Sequence, residues 1–449
     1  MLNKINNAFS RKVIRMKSME AIKDKKEFFL LVLTVLGIVL GLWNSLAILV
    51  LFVIHFIYIL ITPKGETLAF LLFLLPFATI YKFAPGTMSL FTVLEVLAVG
   101  KCIFKKLSID KNLLIGVLLF IFSLFFAPTF DVINTIKALL IILILYYFLV
   151  KDSYDMKKCV LFFTYGLLIS SILGLLRDQI PMIKTYISEV SHIISFEQTR
   201  RFTGLFSDPN YYSVCVVVCM FSLLSLYKKQ LIGISLGVYL TILSILGLLT
   251  FSKSFVIMLV IFLIILVMSL PGKNKVLFSI LAVAIALVLV WMLLYSNISL
   301  FILIRSRFNV SGLDDLTTGR MSLFSRYLEY ILNNIRTLII GEGLGAELLY
   351  TNGRFMASHS TLLDFIYYHG LIGTCLYISL ICGVLIKHRI RFKRTTNNYI
   401  TLFCIMAMYC FLSAYFVSEF PFVLLLGFMV YNTPLTSTPE SDNNLERSE

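Results

Sequence analysis

From Phe28 to Thr62 the chain runs for 35 residues without a single Lys, Arg, Asp or Glu. A helix crosses a bilayer in about 20 apolar residues. The stretch is therefore too long for one crossing and suits two, divided at "GLWNS" (Gly41 to Ser45). With 59% of its 449 residues hydrophobic and 14% charged, the chain has too few polar side chains to cover a soluble surface. Its apolar runs are continuous, whereas a membrane barrel alternates apolar and polar residues along each strand. The sequence therefore predicts an all-α, polytopic membrane protein with a single transmembrane domain over residues 28–432.

Fourteen spans fit the helix ruler, at 28–43, 45–62, 67–83, 89–104, 113–128, 132–150, 159–176, 209–226, 231–250, 254–271, 276–296, 360–386, 400–418 and 420–432. The first division and the short last span set a lower bound of twelve. With the N-terminus in the cytoplasm, the inside connections hold Lys64, then Lys101, Lys105, Lys106 and Lys111, then Lys151, Lys157 and Lys158. Further on they hold Lys228, Lys229, Lys273, Lys275 and the block "KHRIRFKR" (Lys387 to Arg394). The short outside connections near 84–88, 129–131 and 419 hold no Lys or Arg. Positive charge collects on the cytoplasmic side of membrane proteins, so the pattern predicts both termini inside.

The net charge of +15 includes a basic arm, residues 1–27, with Lys4, Arg11, Lys12, Arg15, Lys17, Lys23, Lys25 and Lys26. Next to a span, such an arm reads as a cytoplasmic anchor on anionic membrane lipid and not as a nucleic-acid-binding segment. The apolar stretch behind it is too long for a signal peptide, and no small-residue cleavage site follows. All eight cysteines (Cys102, Cys159, Cys215, Cys219, Cys375, Cys382, Cys404 and Cys410) fall in or beside apolar runs without metal-site spacing. They read as small buried hydrophobes. The polar tail, 433–449, is expected to be cytoplasmic and disordered.

Two outside connections depart from the charge pattern. Residues 177–208 and 297–359 are long and hold Arg177, Arg200, Arg201, Arg305, Arg307, Arg320, Arg326, Arg336 and Arg354. Arginine is disfavoured on this side, and its planar fork binds phosphate oxygens bidentately while staying charged. Arg201, Lys253 of "FSKS", Arg320 and Arg200 all fall at outer ends of spans. Such a set suits a diphosphate whose lipid tail remains in the bilayer; snorkelling to lipid headgroups is the plainer alternative. His359 stands at the mouth of the next span, where a neutral imidazole can accept a proton from an attacking hydroxyl or simply hydrogen-bond at the interface. His369 lies deeper, where a packed role fits, and His55, His192 and His388 have no partner visible in the sequence.

Within the second loop, "TTGRMSLFSRYLEYILNN" (Thr317 to Asn334) repeats Phe324, Leu328, Ile331 and Leu332 at helical spacing opposite Arg326 and Glu329. That pattern predicts an amphipathic helix in the outer interface. "GEGLG" (Gly341 to Gly345) then permits tight turns and close backbone approach to a ligand. Asp314 and Asp315 are adjacent carboxylates without further ligands nearby, so a solvated loop suits them better than a divalent ion. Glu95 lies inside an apolar span, in reach of the inner lysines, and Glu419 sits at an outer hairpin. No phosphate-binding loop, dinucleotide fingerprint, nucleophile elbow or zinc-protease motif is present, and no metal or cofactor is expected.

Several stretches, taken in order, resemble a known family. "RFTGLFSDPNYYS" resembles the Arg-x-x-Gly-x-Phe-x-Asp/Asn-Pro-Asn signature of the O-antigen polymerase and ligase superfamily. "FSKS" is similar to its Ser-Arg/Lys-Ser stretch, two spans later. "TGRMSLF", "GEGLG" and "SHSTLLDFIYYHGLIG" resemble its Gly-Arg, Gly-x-Gly-x-Gly and His-Asn…Gly-x-x-Gly elements, so the likeness covers about residues 200–375. The resemblance implies a metal-independent glycosyl transfer on the outer face of a bacterial plasma membrane, from a glycan carried on undecaprenyl diphosphate. It implies that Arg201 and Arg320 hold the diphosphate and stabilise its developing charge. Lys253 would assist, and His359 would orient or deprotonate the acceptor hydroxyl. The Asp208-Pro209-Asn210 turn would cap the following helix and so aim Arg201. Arg200, Asp208, Asn210, Arg326 and Glu342 are further candidates for contacts to diphosphate or glycan.

Ser360 stands where the family often has Asn, and Lys253 where it often has Arg. Neither outer loop has the arginine followed eleven residues later by glycine that some polymerases carry. Three activities are therefore weighed. A polymerase joins lipid-linked repeat units of O-antigen or capsule, with a chain-length regulator and a flippase as partners. A ligase moves the finished chain to lipid A core or another acceptor. A lipid-linked oligosaccharide flippase would instead place charge near the midplane and keep its loops short. The long, arginine-bearing outer loops favour transfer chemistry, with the polymerase as the first expectation.

Overall fold

The structure is a computed structural model that describes residues 25–105, 114–119, 121, 155–188, 201–228, 235–269, 320–344, 346–347, 349–351, 354–355, 358–389 and 402–408. It is mostly helical. Helix α1 covers 25–41, and α2 (Ser45–Ile61), α3 (Lys64–Leu74) and α4 (Leu90–Lys105) follow. Then come α5 (Met156–Leu175), α6 (Pro181–Ser188), α7 (Pro209–Lys228), α8 (Ser235–Leu248) and α9 (Lys253–Ser269). The last group is α10 (Arg320–Asn333), α11 (Ile335–Ile339) and α12 (Thr361–Arg389). Two-residue strands β1 (Tyr350–Thr351) and β2 (Arg354–Phe355) pair antiparallel between α11 and α12. Among the described residues, two helices are long and apolar enough to cross a membrane, Met156–Leu175 and Pro209–Tyr227. Shorter apolar helices cover Ser45–Ile61, Leu236–Leu248 and Lys253–Met268. The expected spans 132–150, 276–296 and 420–432, most of 113–128 and 400–418, the basic arm to residue 24 and the tail lie outside the described residues.

The core forms around α3 and α7. Every residue of α3 from Thr67 to Leu74 is buried, and the helix packs most extensively on α5. The two approach so closely that a Cβ on Gly166 would stand 2.2 Å from the Phe73 carbonyl oxygen. Small residues at helix contacts allow this approach. Helix α7 is enclosed by α5, α8 and α9. Where the sequence predicts one span over 67–83, the helix instead stops at Leu74, and a single 3₁₀ turn (Leu75–Phe77) leads into turns that reach Ser89. Pro76 is the cause, since it lacks the amide that would continue the helical ladder.

Polar pins join the helices. Thr34 Oγ1 donates to the Leu30 carbonyl at 2.7 Å, which uses its only proton. The His55 Nε2–H therefore donates to Thr34 Oγ1 (3.0 Å), and the Tyr81 hydroxyl donates to His55 Nδ1 (2.8 Å). This chain of donors ties α1, α2 and the segment after α3 through a fully buried, neutral imidazole, and it supplies the partners that the sequence did not reveal for His55. Elsewhere, Lys158 pairs with Glu27 at 2.5 Å. Lys101 donates to the carbonyls of Ile59 and Thr62, satisfying the end of α2. Glu95 is fully buried on α4.

Helix α12 is not the continuous rod that the expected span 360–386 implies. At Gly370 the backbone turns to φ 62°, ψ −173°, which separates residues 361–369 from 371–389. The break frees the carbonyls of Tyr367 and Tyr368, and the amides of Glu342 (2.7 Å) and Gly343 (3.0 Å) occupy them. The "GEGLG" turn is thus a splint across a broken helix, and Gly341 and Gly343 adopt φ 86° and 87° to make it. Residues 371–389 alone extend about 28 Å, close to the hydrocarbon thickness of a bilayer.

Candidate functional site

The site begins with the turn that starts α7. Asp208 precedes the helix and its Oδ1 accepts the Asn210 amide at 2.6 Å, while Pro209 occupies the first helical position, where a missing amide costs nothing. The first helical bond runs from the Tyr212 amide to the Asp208 carbonyl at 3.2 Å. Upstream, Gly204 at φ 58° lets the chain lie against Gly174, where an added Cβ would come within 2.6 Å of the Gly204 backbone. The Phe202 and Phe206 rings both meet Tyr212 in T-shaped contacts, at centroid distances of 5.2 and 5.9 Å. The Tyr212 hydroxyl closes on Ser171 at 2.7 Å. Residues 201–207 are thereby wedged between the ends of α5 and α7.

Arg201 is aimed by this wedge. Its Nε donates to the Thr250 carbonyl at 2.9 Å, and an Nη reaches Asn210 Oδ1 at 3.4 Å. The same Asn210 oxygen accepts the Ser252 hydroxyl at 3.0 Å, and Ser252 shares a 2.8 Å bond with Ser254. Phe251 adopts φ 48° in the turn, so "FSKS" leaves α8 sharply and presents Lys253 as the first residue of α9. Asn210 therefore acts as a strut between Arg201 and the serines that flank Lys253. The two stretches, 40 residues apart in sequence, form one rim.

The other half comes from the loop after residue 319. Arg320 is the first residue of α10 and is half-buried. Burial pulls its pKa below the ordinary arginine value, opposed by the Asp208 carboxylate and the Tyr211 phenol, yet a guanidinium stays charged in proteins. His359 adopts φ 56°, a left-handed conformation that costs a residue with a Cβ about 1–2 kcal/mol. Such strain persists only when the surroundings over-determine it, and it gathers at functional sites. The surroundings are visible: buried Ser358 donates to Asp364 Oδ1 at 2.6 Å, and the Ser360 amide donates to Ser358 Oγ at 3.0 Å. Ser360 then caps α12, accepting the Asp364 amide on its carbonyl at 2.9 Å and the Leu363 amide on its hydroxyl at 3.4 Å. Ser is among the good helix caps, which gives a physical reason for Ser360 at this position.

Burial lowers the His359 pKa first, the Arg320 cation lowers it further, and the Asp208 carboxylate opposes both. Asp208, Arg320 and His359 thus share one electrostatic neighbourhood, with Tyr211 beside Arg320. The sequence places Asp208 at a helix start and among the candidate contacts to diphosphate or glycan; its electrostatic reach to both Arg320 and His359 is a product of the fold. Because the pKa of His359 lies below the ordinary value of 6.5, its ring is neutral and its lone pair available at neutral pH. A reaction that uses His359 as a base should be flat from pH 7 to 8 and fall on an acid limb centred below 6.5. A rate profile that loses activity at or above that value would remove His359 from the role.

Not every candidate joins the group. Arg326 is exposed on α10, about 9 Å along the helix from Arg320. The buried face of α10 is Leu323, Tyr327 and Ile331, while Leu328 and Leu332 of the expected interfacial stripe are exposed. Tyr327 decides the rotation, since its ring meets Tyr367 of α12 at 5.2 Å and its hydroxyl accepts the Leu349 amide at 3.3 Å. Glu342 sits by Tyr367, about two helical turns from His359, and its Oε1 accepts Tyr330 (3.2 Å), Asn334 (3.4 Å) and Thr337. His369 is buried beside Phe365, as a packed residue. Arg200, Asp314 and Asp315 lie outside the described residues. Among the described residues, no three His, Cys, Asp or Glu side chains gather as a metal cage. No family model matches the chain, and neither a curated protein nor a solved structure matches it.

Proposed function

We propose that the protein is a metal-independent glycosyltransferase of the bacterial plasma membrane that polymerises lipid-linked repeat units of a surface polysaccharide. The observation that carries this reading is the rim in which Asn210 joins Arg201 to the serines flanking Lys253, with Asp208 bonded to Asn210 and in electrostatic reach of Arg320 and His359. Two guanidinium groups suit the diphosphate of the donor, and a neutral histidine suits the acceptor hydroxyl. In the step, the hydroxyl oxygen bonds to the anomeric carbon as the carbon–oxygen bond to the lipid diphosphate breaks. Its proton passes to His359, and the leaving negative charge is met by Arg201 and Arg320.

Two features support placing the site at the outer face of fourteen spans. Helix α1 exposes Phe28, Val32, Leu36 and Leu40, and α2 exposes Leu46, Leu49, Val53, Ile57 and Leu60. Apolar stripes this long are foreign to a water-exposed monomer and natural against lipid. The polar contacts also join residues assigned to one side: Lys158 with Glu27 and Lys101 with Thr62 inside, Arg201 with Thr250 and Tyr212 with Ser171 outside.

Purified protein incubated with lipid-linked repeat units should give a ladder of lengthened glycans on a gel. Transfer of finished chains to lipid A core without a ladder would move the reading to ligase. Movement of labelled lipid-linked units across vesicles without extension would replace it with a flippase.

A further inference from the structure

We infer that Glu342 is a positioning residue that holds the Arg320 helix at a fixed angle to the His359 helix, rather than a ligand of the glycan. This rests on the proposed glycosyl transfer. Helix α10 begins at Arg320, and the first segment of α12 begins two residues after His359. They pack together, joined midway by the rings of Tyr327 and Tyr367 and further on by Tyr330 against Tyr367 at 5.9 Å. At the end remote from Arg320, Glu342 closes the joint.

Its carboxylate collects donors from three places: Tyr330 on α10, Asn334 at the corner and Thr337 on α11. Its backbone amide donates to the Tyr367 carbonyl on α12. One residue therefore ties α10, α11 and the broken helix at once. Thr337 is wholly buried, so loss of its partner would leave a hydroxyl without its acceptor. Helix α10 is a lever about 20 Å long, and a tilt of about 10° at its far end moves Arg320 by about 3.5 Å. Shifts of about 1 Å in a reacting constellation cost up to about a hundredfold in rate. A joint at Glu342 thus sets the spacing of two groups it does not touch.

The test is chain extension by the purified full-length protein with lipid-linked repeat units, read as kcat and KM separately. Glu342→Ala should lower kcat by about 10- to 100-fold and leave KM within about twofold. Glu342→Gln keeps an acceptor oxygen and should retain kcat within about threefold. Hydrogen exchange over residues 341–344 gives a second readout, faster in Glu342→Ala than in the unaltered protein. A rise in KM at unchanged kcat would make Glu342 a glycan ligand and overturn the inference, as would unchanged kcat and exchange. Absence of a ladder from the unaltered protein would overturn the proposed activity instead, so the two failures are distinct.

Discussion

Arg320→Ala should sharply lower the proposed chain extension while leaving the protein folded in the membrane. Arg320 is within electrostatic reach of Asp208, Tyr211 and His359, and in the proposed transfer its removal would take away a charge that meets the leaving diphosphate. Loss of one such donor costs about 100- to 1,000-fold in kcat. Arg201→Ala should have an effect of the same size, since Thr250 and Asn210 aim Arg201 at the same rim. Lysine at position 320 restores charge but not the planar fork, so Arg320→Lys should recover only part of the rate. Gel ladders from purified variants, normalised to the amount of folded protein, measure this. Ladders of unaltered length and rate from either alanine variant would sink the diphosphate clamp.

Gly370→Ala should destabilise the fold by about 2–4 kcal/mol, because strain and a backbone clash coincide there. Its φ of 62° is strained for any residue with a Cβ, and that Cβ would stand 2.3 Å from the Ile339 carbonyl carbon. The neighbour is backbone, which cannot swing aside as a flexible side chain can. Gly100 and Gly237 provide the comparison, because a Cβ at either meets nothing within 4 Å. Alanine at those helical positions should be neutral or stabilising by up to about 1 kcal/mol. Thermal half-lives in detergent check the contrast, since unfolding of such a protein is best followed as a rate. Equal half-lives for Gly370→Ala and Gly100→Ala would show that the helix does not need its break.

Hydropathy located α2, α5, α7, α8 and α9 to within a few residues, because each is one apolar run bounded by charge or turn residues. It also passed over two interruptions. Pro76 and Gly370 sit in runs as apolar as their neighbours, so a sum over side chains is blind to them; the break is a backbone event. Helix α6 was hidden in a segment read as loop, where Ile183, Tyr186 and Ile187 make a buried face too short for a periodic signal. On α10 the sequence offers two apolar stripes. Phe324, Leu328, Ile331 and Leu332 make the stripe expected at the interface, and Leu323 and Tyr327 pack inward with Ile331 because Tyr327 finds both a ring and an amide.

The candidate site shows the same division. Asp208, Pro209 and Asn210 were readable as a helix start, since capping depends on three adjacent residues and their own backbone. Glu342 is a candidate glycan contact in the sequence, whereas the acceptance of Tyr330, Asn334 and Thr337 by its carboxylate is visible only in the fold. Residue chemistry added up along the chain determines that this protein is helical, where its apolar runs lie and which segments collect arginine. Only the tertiary structure decides that Asp208 reaches Arg320 and His359 electrostatically and that Asn210 links Arg201 to Ser252. Those contacts depend on where α7, α9, α10 and α12 pack and on left-handed turns at Gly204, His359 and Gly370, and neither quantity is a sum over residues.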